Sequence, residues 1–154
     1  MENIALDNEL YQKELNLVHA SKGKRFANYL IDGVSAYLLL ELVIFVLESL
    51  NLYFFGRYYL LDYLFNSFII ALYYIICESS MKGKTIGKFI TKTRAVSSNG
   101  LYMDMSDIVK RSFSRVVPFE QFSFLGSEPT GWHDRWSNSM VIDENSSPDA
   151  INLN

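Results

Sequence analysis

The chain has 154 residues, room for one domain, with 49% apolar and 20% charged residues and a formal net charge of −3. That acidic balance argues against nucleic acid as a partner. The single cysteine, Cys77, excludes an internal disulfide and a multi-cysteine metal site.

Mean hydropathy is only +0.07, so the distribution of apolar residues says more than their number. Between Phe26 and Cys77 the sole basic residue is Arg57, and the other 13 of 14 lie outside that block. The first 20 residues are polar and acidic, without a cleavable signal pattern, and residues 1–23 read as a tail.

Residues 24–78 read as two antiparallel transmembrane helices. Phe26 to Leu47 carries only two acids, Asp32 and Glu41, and Tyr58 to Cys77 carries one, Asp62. Each run has about 20 residues, which matches a hydrocarbon core of ~30 Å at ~1.5 Å per residue. Backbone polar groups in lipid must be satisfied internally, so both runs are expected to be helices. The short connector, Asn51 to Arg57, makes them a hairpin, and Tyr53, Phe54, Phe55, Tyr58 and Tyr59 form an aromatic belt beside it.

Lys22, Lys24 and Arg25 precede the first span, and Lys82, Lys84, Lys88, Lys92 and Arg94 follow the second. The positive-inside rule therefore places both termini in the cytoplasm, with the chain in a plasma or inner membrane.

Polar residues within the spans are functional candidates. Arg25, Asn28 and Asp32 fall at i, i+3 and i+7 on one helical face. Two turns separate Arg25 from Asp32, too far for a direct pair, so a third polar partner is expected. Glu41 falls near the level of Asp62 and Asn66 in an antiparallel hairpin, a second acidic patch that could hold a proton or a cation. Its plain structural reading is a hydrogen bond from Glu41 to Asn66 or to a tyrosine.

Residues 79–142 read as a cytoplasmic region on the membrane surface. Lys82-Gly83-Lys84-Thr85-Ile86-Gly87-Lys88 lacks the first glycine and the terminal Ser/Thr of a phosphate loop. It reads as a glycine-broken basic turn whose lysines meet anionic headgroups. Phe89 to Val96, Asn99-Gly100 and Leu101 to Met103 read as a β-hairpin. From an N-cap at Ser106 to Val117 a basic amphipathic helix is predicted, with Val109, Phe113, Val116 and Val117 as its apolar stripe, lying in the membrane interface. Phe119 to Leu125 is apolar but too short to span. Trp132-His133-Asp134 and a short strand, Ser139 to Ile142, follow. Residues 143–154 read as a disordered tail.

Together these patches resemble the RDD family of small membrane proteins, named for an arginine and two aspartates. Arg25-x-x-Asn28-x-x-Ile31-Asp32 is similar to the family's opening of the first span. Gly83-x-Thr85-Ile86-Gly87-Lys88 is similar to its segment after the second. Asn99-Gly100 and Arg111 or Arg115 resemble its downstream turn and arginine, and Trp132-His133-Asp134 its closing motif. The resemblance runs from about Lys24 to Ile142 and implies that Arg25, Asp32 and Asp134 are the eponymous residues. Many members carry a third hydrophobic segment where this chain has only the Phe119 to Leu125 stub.

The expected role is a non-catalytic membrane accessory or scaffold, held by a network of Arg25, Asp32 and Asp134. The alternative is an oligomeric ion or small-solute transporter, such as a proton-coupled cation exchanger, using Asp32. Two spans cannot enclose a pathway alone, so a homo-oligomer or a larger membrane partner is expected in either case. His133 beside Asp134 invites an acid–base reading. No nucleophile motif, metal cluster or cofactor loop accompanies the pair, so neither enzyme activity nor a cofactor is expected.

Overall fold

The computed structural model describes residues 17–52, 56, 58–117, 123 and 130–147. Most of the connector belt and of the Phe119 to Leu125 stub lies outside these residues, as do residues 1–16 and 148–154. The elements in chain order are α1 (Lys22–Ser49), α2 (Tyr59–Ser80), α3 (Ile86–Thr91), β1 (Thr93–Ser97), α4 (Met105–Ser114), α5 (Trp132–Trp136) and β2 (Ser139–Asp143).

Ser21 caps α1, its extended backbone letting the hydroxyl accept from the Lys24 amide at 3.3 Å. With 28 and 22 residues, α1 and α2 are long and apolar enough to cross a bilayer and measure roughly 42 and 33 Å. Only 17% of the apolar window of each is buried within the protein. A core helix of a soluble protein would be mostly covered; here Val34, Leu38, Leu42 and Phe45 of α1, and Leu60, Leu64 and Phe68 of α2, face outward. Such faces are stable in lipid.

What α1 does bury is a polar-to-apolar stripe of Arg25, Asn28, Asp32, Ala36 and Leu40. Ala36 admits the edge-to-face pair Tyr73 and Tyr74, with ring centroids 5.1 Å apart, and Leu39, Ile70 and Cys77 complete the contact. At the far end, Asp62 accepts two bonds from the Gly56 amide, at 2.9 and 3.1 Å, and so closes the connector.

At the other end the remaining elements fold back over the hairpin. Gly83 sits at φ +85°, where an added Cβ would collide with the Ala95 carbonyl oxygen. Strands β1 and β2 pair antiparallel, with Ala95 opposite Val141. The segment before α1 joins the outer edge of β2: the Ala20 amide donates to the Val141 carbonyl at 2.9 Å, and Ala20, Ala95, Met103, Ile108 and Val141 form a small core.

Four sequence expectations are corrected here. The partner of β1 is β2 and not Leu101 to Met103. Asn99-Gly100 does turn the chain, with the Gly100 amide donating to the Ser97 carbonyl at 2.8 Å, but a local turn does not fix which strand fills the long edge. Phe89 to Thr91, read as the start of a strand, instead ends helix α3, which begins at Ile86 within the expected basic turn and is capped by Thr85.

Helix α4 is capped by Asp104 and ends at Ser114. It buries Ile108 and Ser112 together with Arg111, which was expected on the polar face, while Phe113 of the apolar stripe faces outward. The buried face follows the charge partners supplied by α2 and α5 rather than the apolar stripe. Finally, residues 17–20 and 143–147 are structured rather than tail. Ser147 is fully buried and accepts from the Val18 amide at 2.8 Å, and Asp143 pairs with Lys24 at 2.7 Å.

Candidate functional site

The buried stripe of α1 divides its polar residues between two separate clusters. The first is centred on Asp32. Its Oδ2 accepts from the Thr85 hydroxyl at 2.6 Å, and its Oδ1 from the Gly87 amide at 2.8 Å and the Tyr73 hydroxyl at 3.2 Å. The approach requires glycine at Gly87, since an added Cβ would lie 2.8 Å from the Asn28 carbonyl oxygen and 3.0 Å from the Asp32 carboxyl carbon. One helical turn earlier, Asn28 donates to Thr93 Oγ1 at 2.9 Å and accepts from Thr91 Oγ1 at 2.5 Å. Thus α1 holds α3 and the start of β1 through side chains spaced along one face.

The second cluster is ionic and buried, with only Arg115 at its margin partly exposed. Asp134 accepts from Arg25 and, at 2.6 Å, from Arg111, and its Oδ2 also receives the Gly131 amide at 2.9 Å. His133 Nε2 lies 3.3 Å from the same carboxylate. Arg111 donates onward to Ser139, and its Nε lies 3.4 Å from Glu78. Glu78 in turn pairs with Lys88 at 2.5 Å and Arg115 at 3.5 Å, and Arg115 stacks over the Tyr74 ring at 4.4 Å.

Burial alone would raise the Asp134 pKa, but the charges of His133, Arg111 and Arg25 hold it well below the usual carboxylate range. Burial pushes the Lys88 ammonium down to about 8, with the Glu78 carboxylate pulling the other way.

The expected triangle of Arg25, Asp32 and Asp134 therefore forms along one edge only. Arg25 meets Asp134 across 109 positions of sequence, while Asp32 is occupied by Thr85, Gly87 and Tyr73. Helical spacing forbade the Arg25–Asp32 pair, and the third partner of Arg25 is the one expected.

Gly83, Thr85, Gly87 and Lys88 prove to be a packing device rather than a headgroup-facing turn: Lys88 and Thr85 are buried, and Lys84 pairs with Glu144 at 2.7 Å. Trp132 faces outward and stacks on Trp136 with centroids 5.9 Å apart, a pair suited to the interface. The outer acidic patch does not assemble. Glu41 is exposed, Asp62 caps the connector, and Asn66 is joined to neither.

Glu78 was not singled out from the sequence, and Arg111 only as one of two choices. A signal for Glu78 did exist. It is a carboxylate in the last turn of a helix, where the macrodipole disfavours negative charge, so a cationic partner should have been sought.

A family model described as RDD family matches residues 19–138 of the chain. No curated protein and no solved structure matches it.

Proposed function

The chain belongs to the RDD family and is a membrane protein, and from that premise we propose that it is a non-catalytic membrane accessory or scaffold. The observation that carries this reading is Asp134, held at once by Arg25 of α1 and Arg111 of α4. One carboxylate thereby ties α5 to both the hairpin and the surface helix. Charges enclosed in this way specify one arrangement of the elements rather than exchange with solvent.

The saturation of Asp32 by three donors speaks against the alternative, an oligomeric transporter in which this carboxylate binds or releases a cation. The same saturation of Asp134 speaks against His133 and Asp134 as a general acid–base pair. By the positive-inside rule the network end of the hairpin is cytoplasmic, in a plasma or inner membrane. There its outer lysines meet anionic headgroups, and a second copy or a larger membrane partner is the object of the scaffold.

A double-mutant cycle of Arg25→Gln and Asp134→Asn, read from unfolding in detergent, should give a coupling energy above about 1 kcal/mol. Additive effects would remove the network from the proposal. In liposomes the protein should dissipate a pH gradient no faster than empty vesicles do. A cation-dependent flux abolished by Asp32→Asn would replace the scaffold with the transporter.

A further inference from the structure

Glu41 belongs to neither cluster. Asp32 is enclosed by its three donors and Asp62 closes the connector, whereas Glu41 is exposed on the outward side of α1. At ~1.5 Å per residue it stands about 13 Å beyond Asp32 and about 12 Å short of Ser49, deep in the hydrocarbon. Leu38, Leu42 and Phe45 around it face outward as well. An ionisable side chain at that depth is stable against a helix partner or a water-filled cavity. An open hydrocarbon face offers it neither.

Glu41 ends a stripe. Tyr29, Gly33, Tyr37 and Glu41 recur every four residues along one flank, and all of them are exposed. Helical side chains lean toward the N-terminus, so the Glu41 carboxyl is directed to the level of Tyr37. A Cβ added at Gly33 would meet no atom within 4 Å, which makes this point a notch where a second backbone can lie close. A cavity of about 370 Å³ between α1 and α2 reaches the same flank, with Tyr29, Gly33 and Tyr37 on its wall. A helix laid along the stripe would cover it.

The stripe is complementary to itself. It carries an acceptor in Glu41 and hydroxyl donors in Tyr29 and Tyr37, so a copy related by a two-fold axis along the bilayer normal supplies each group with a partner. Copies inserted in the same orientation hold their α1 helices parallel, and the Tyr37 and Glu41 levels then coincide. That coincidence favours a second copy over an unrelated protein, which would have to bring its own polar group to this depth.

We propose that two copies of this chain pair along the Tyr29, Gly33, Tyr37 and Glu41 flank of α1, enclosing Glu41 and Tyr37 of both at the shared interface. This rests on the scaffold reading for its purpose, since it names the second copy as the partner, but the stripe shares no residue with the ion pairs of Arg25 and Asp134.

Cysteine cross-linking of the full chain in proteoliposomes, in a Cys77→Ala background, tests it. Gly33→Cys should oxidise to a disulfide-linked dimer, because the notch brings its two Cα atoms within about 7 Å. Leu42→Cys, on another side of the outward face, should give little. Followed by dilution of labelled chains into lipid, the dimer dissociation constant should rise about tenfold for Glu41→Leu and further for Gly33→Phe. Both variants should leave the coupling of Arg25 with Asp134 unchanged. Chains that are monomeric at every dilution, equal cross-linking of Gly33→Cys and Leu42→Cys, or wild-type dissociation of Gly33→Phe would overturn the pairing, with the ion-pair coupling still in place. A flux abolished by Asp32→Asn would instead replace the scaffold, and cross-linking at Gly33→Cys would still support the pairing.

Discussion

Asp134→Asn is expected to lower stability by about 3–5 kcal/mol, because it leaves Arg25 and Arg111 buried without their shared counter-charge. The change is nearly isosteric, so loss of packing contributes little, and the effect measures the charge itself. It should also alter the pH dependence. The folded-state pKa of Asp134 lies below its unfolded value. Its charge therefore stabilises the fold fully above about pH 4, and that contribution is lost as pH falls through the folded value. Unfolding midpoints of the wild type in detergent should fall on the acid side, and Asp134→Asn should flatten that limb. An unchanged midpoint at neutral pH would mean that the carboxylate is dispensable to the fold.

Glu78→Gln should be of similar size, about 3–5 kcal/mol, since Lys88, Arg111 and Arg115 all converge on that one carboxylate. Here a compensating change is informative. Adding Lys88→Met to Glu78→Gln removes one of the three unmatched cations and replaces it with a chain of similar reach, so part of the loss should return. If the double variant were less stable than Glu78→Gln alone, Lys88 would be acting through contacts other than this carboxylate. Both measurements are unfolding midpoints in one detergent, so they compare directly.

Much of this architecture was legible in the residues. The two spans, their antiparallel pairing and the face of α1 that carries Arg25, Asn28 and Asp32 follow from apolar run length and helical period. The pairing of Arg25 with a residue beyond the spans follows from the same geometry, because two turns of helix keep it from Asp32. The surface helix was less legible. Its pattern placed Arg111 on the polar face, yet Arg111 is fully buried, since a matched guanidinium can be enclosed where a periodicity rule expects an exposed charge.

Strand pairing was misjudged for a related reason. Asn99-Gly100 is a strong local signal, but the partner of β1 arrives some 40 residues later in β2, and a local turn carries no information about that distance.

The sequence by itself determined where the chain sits and which charges lipid would force into the interior, because both depend on composition and on spacing along one helix. Only the tertiary structure decided which charge meets which. It set Asp32 among Thr85, Gly87 and Tyr73, gave Asp134 to two arginines, and made Glu78 the meeting point of three cations. Those choices depend on contacts between residues far apart in the chain, where the cost of enclosing an unmatched charge selects one arrangement out of several that the pattern alone allows.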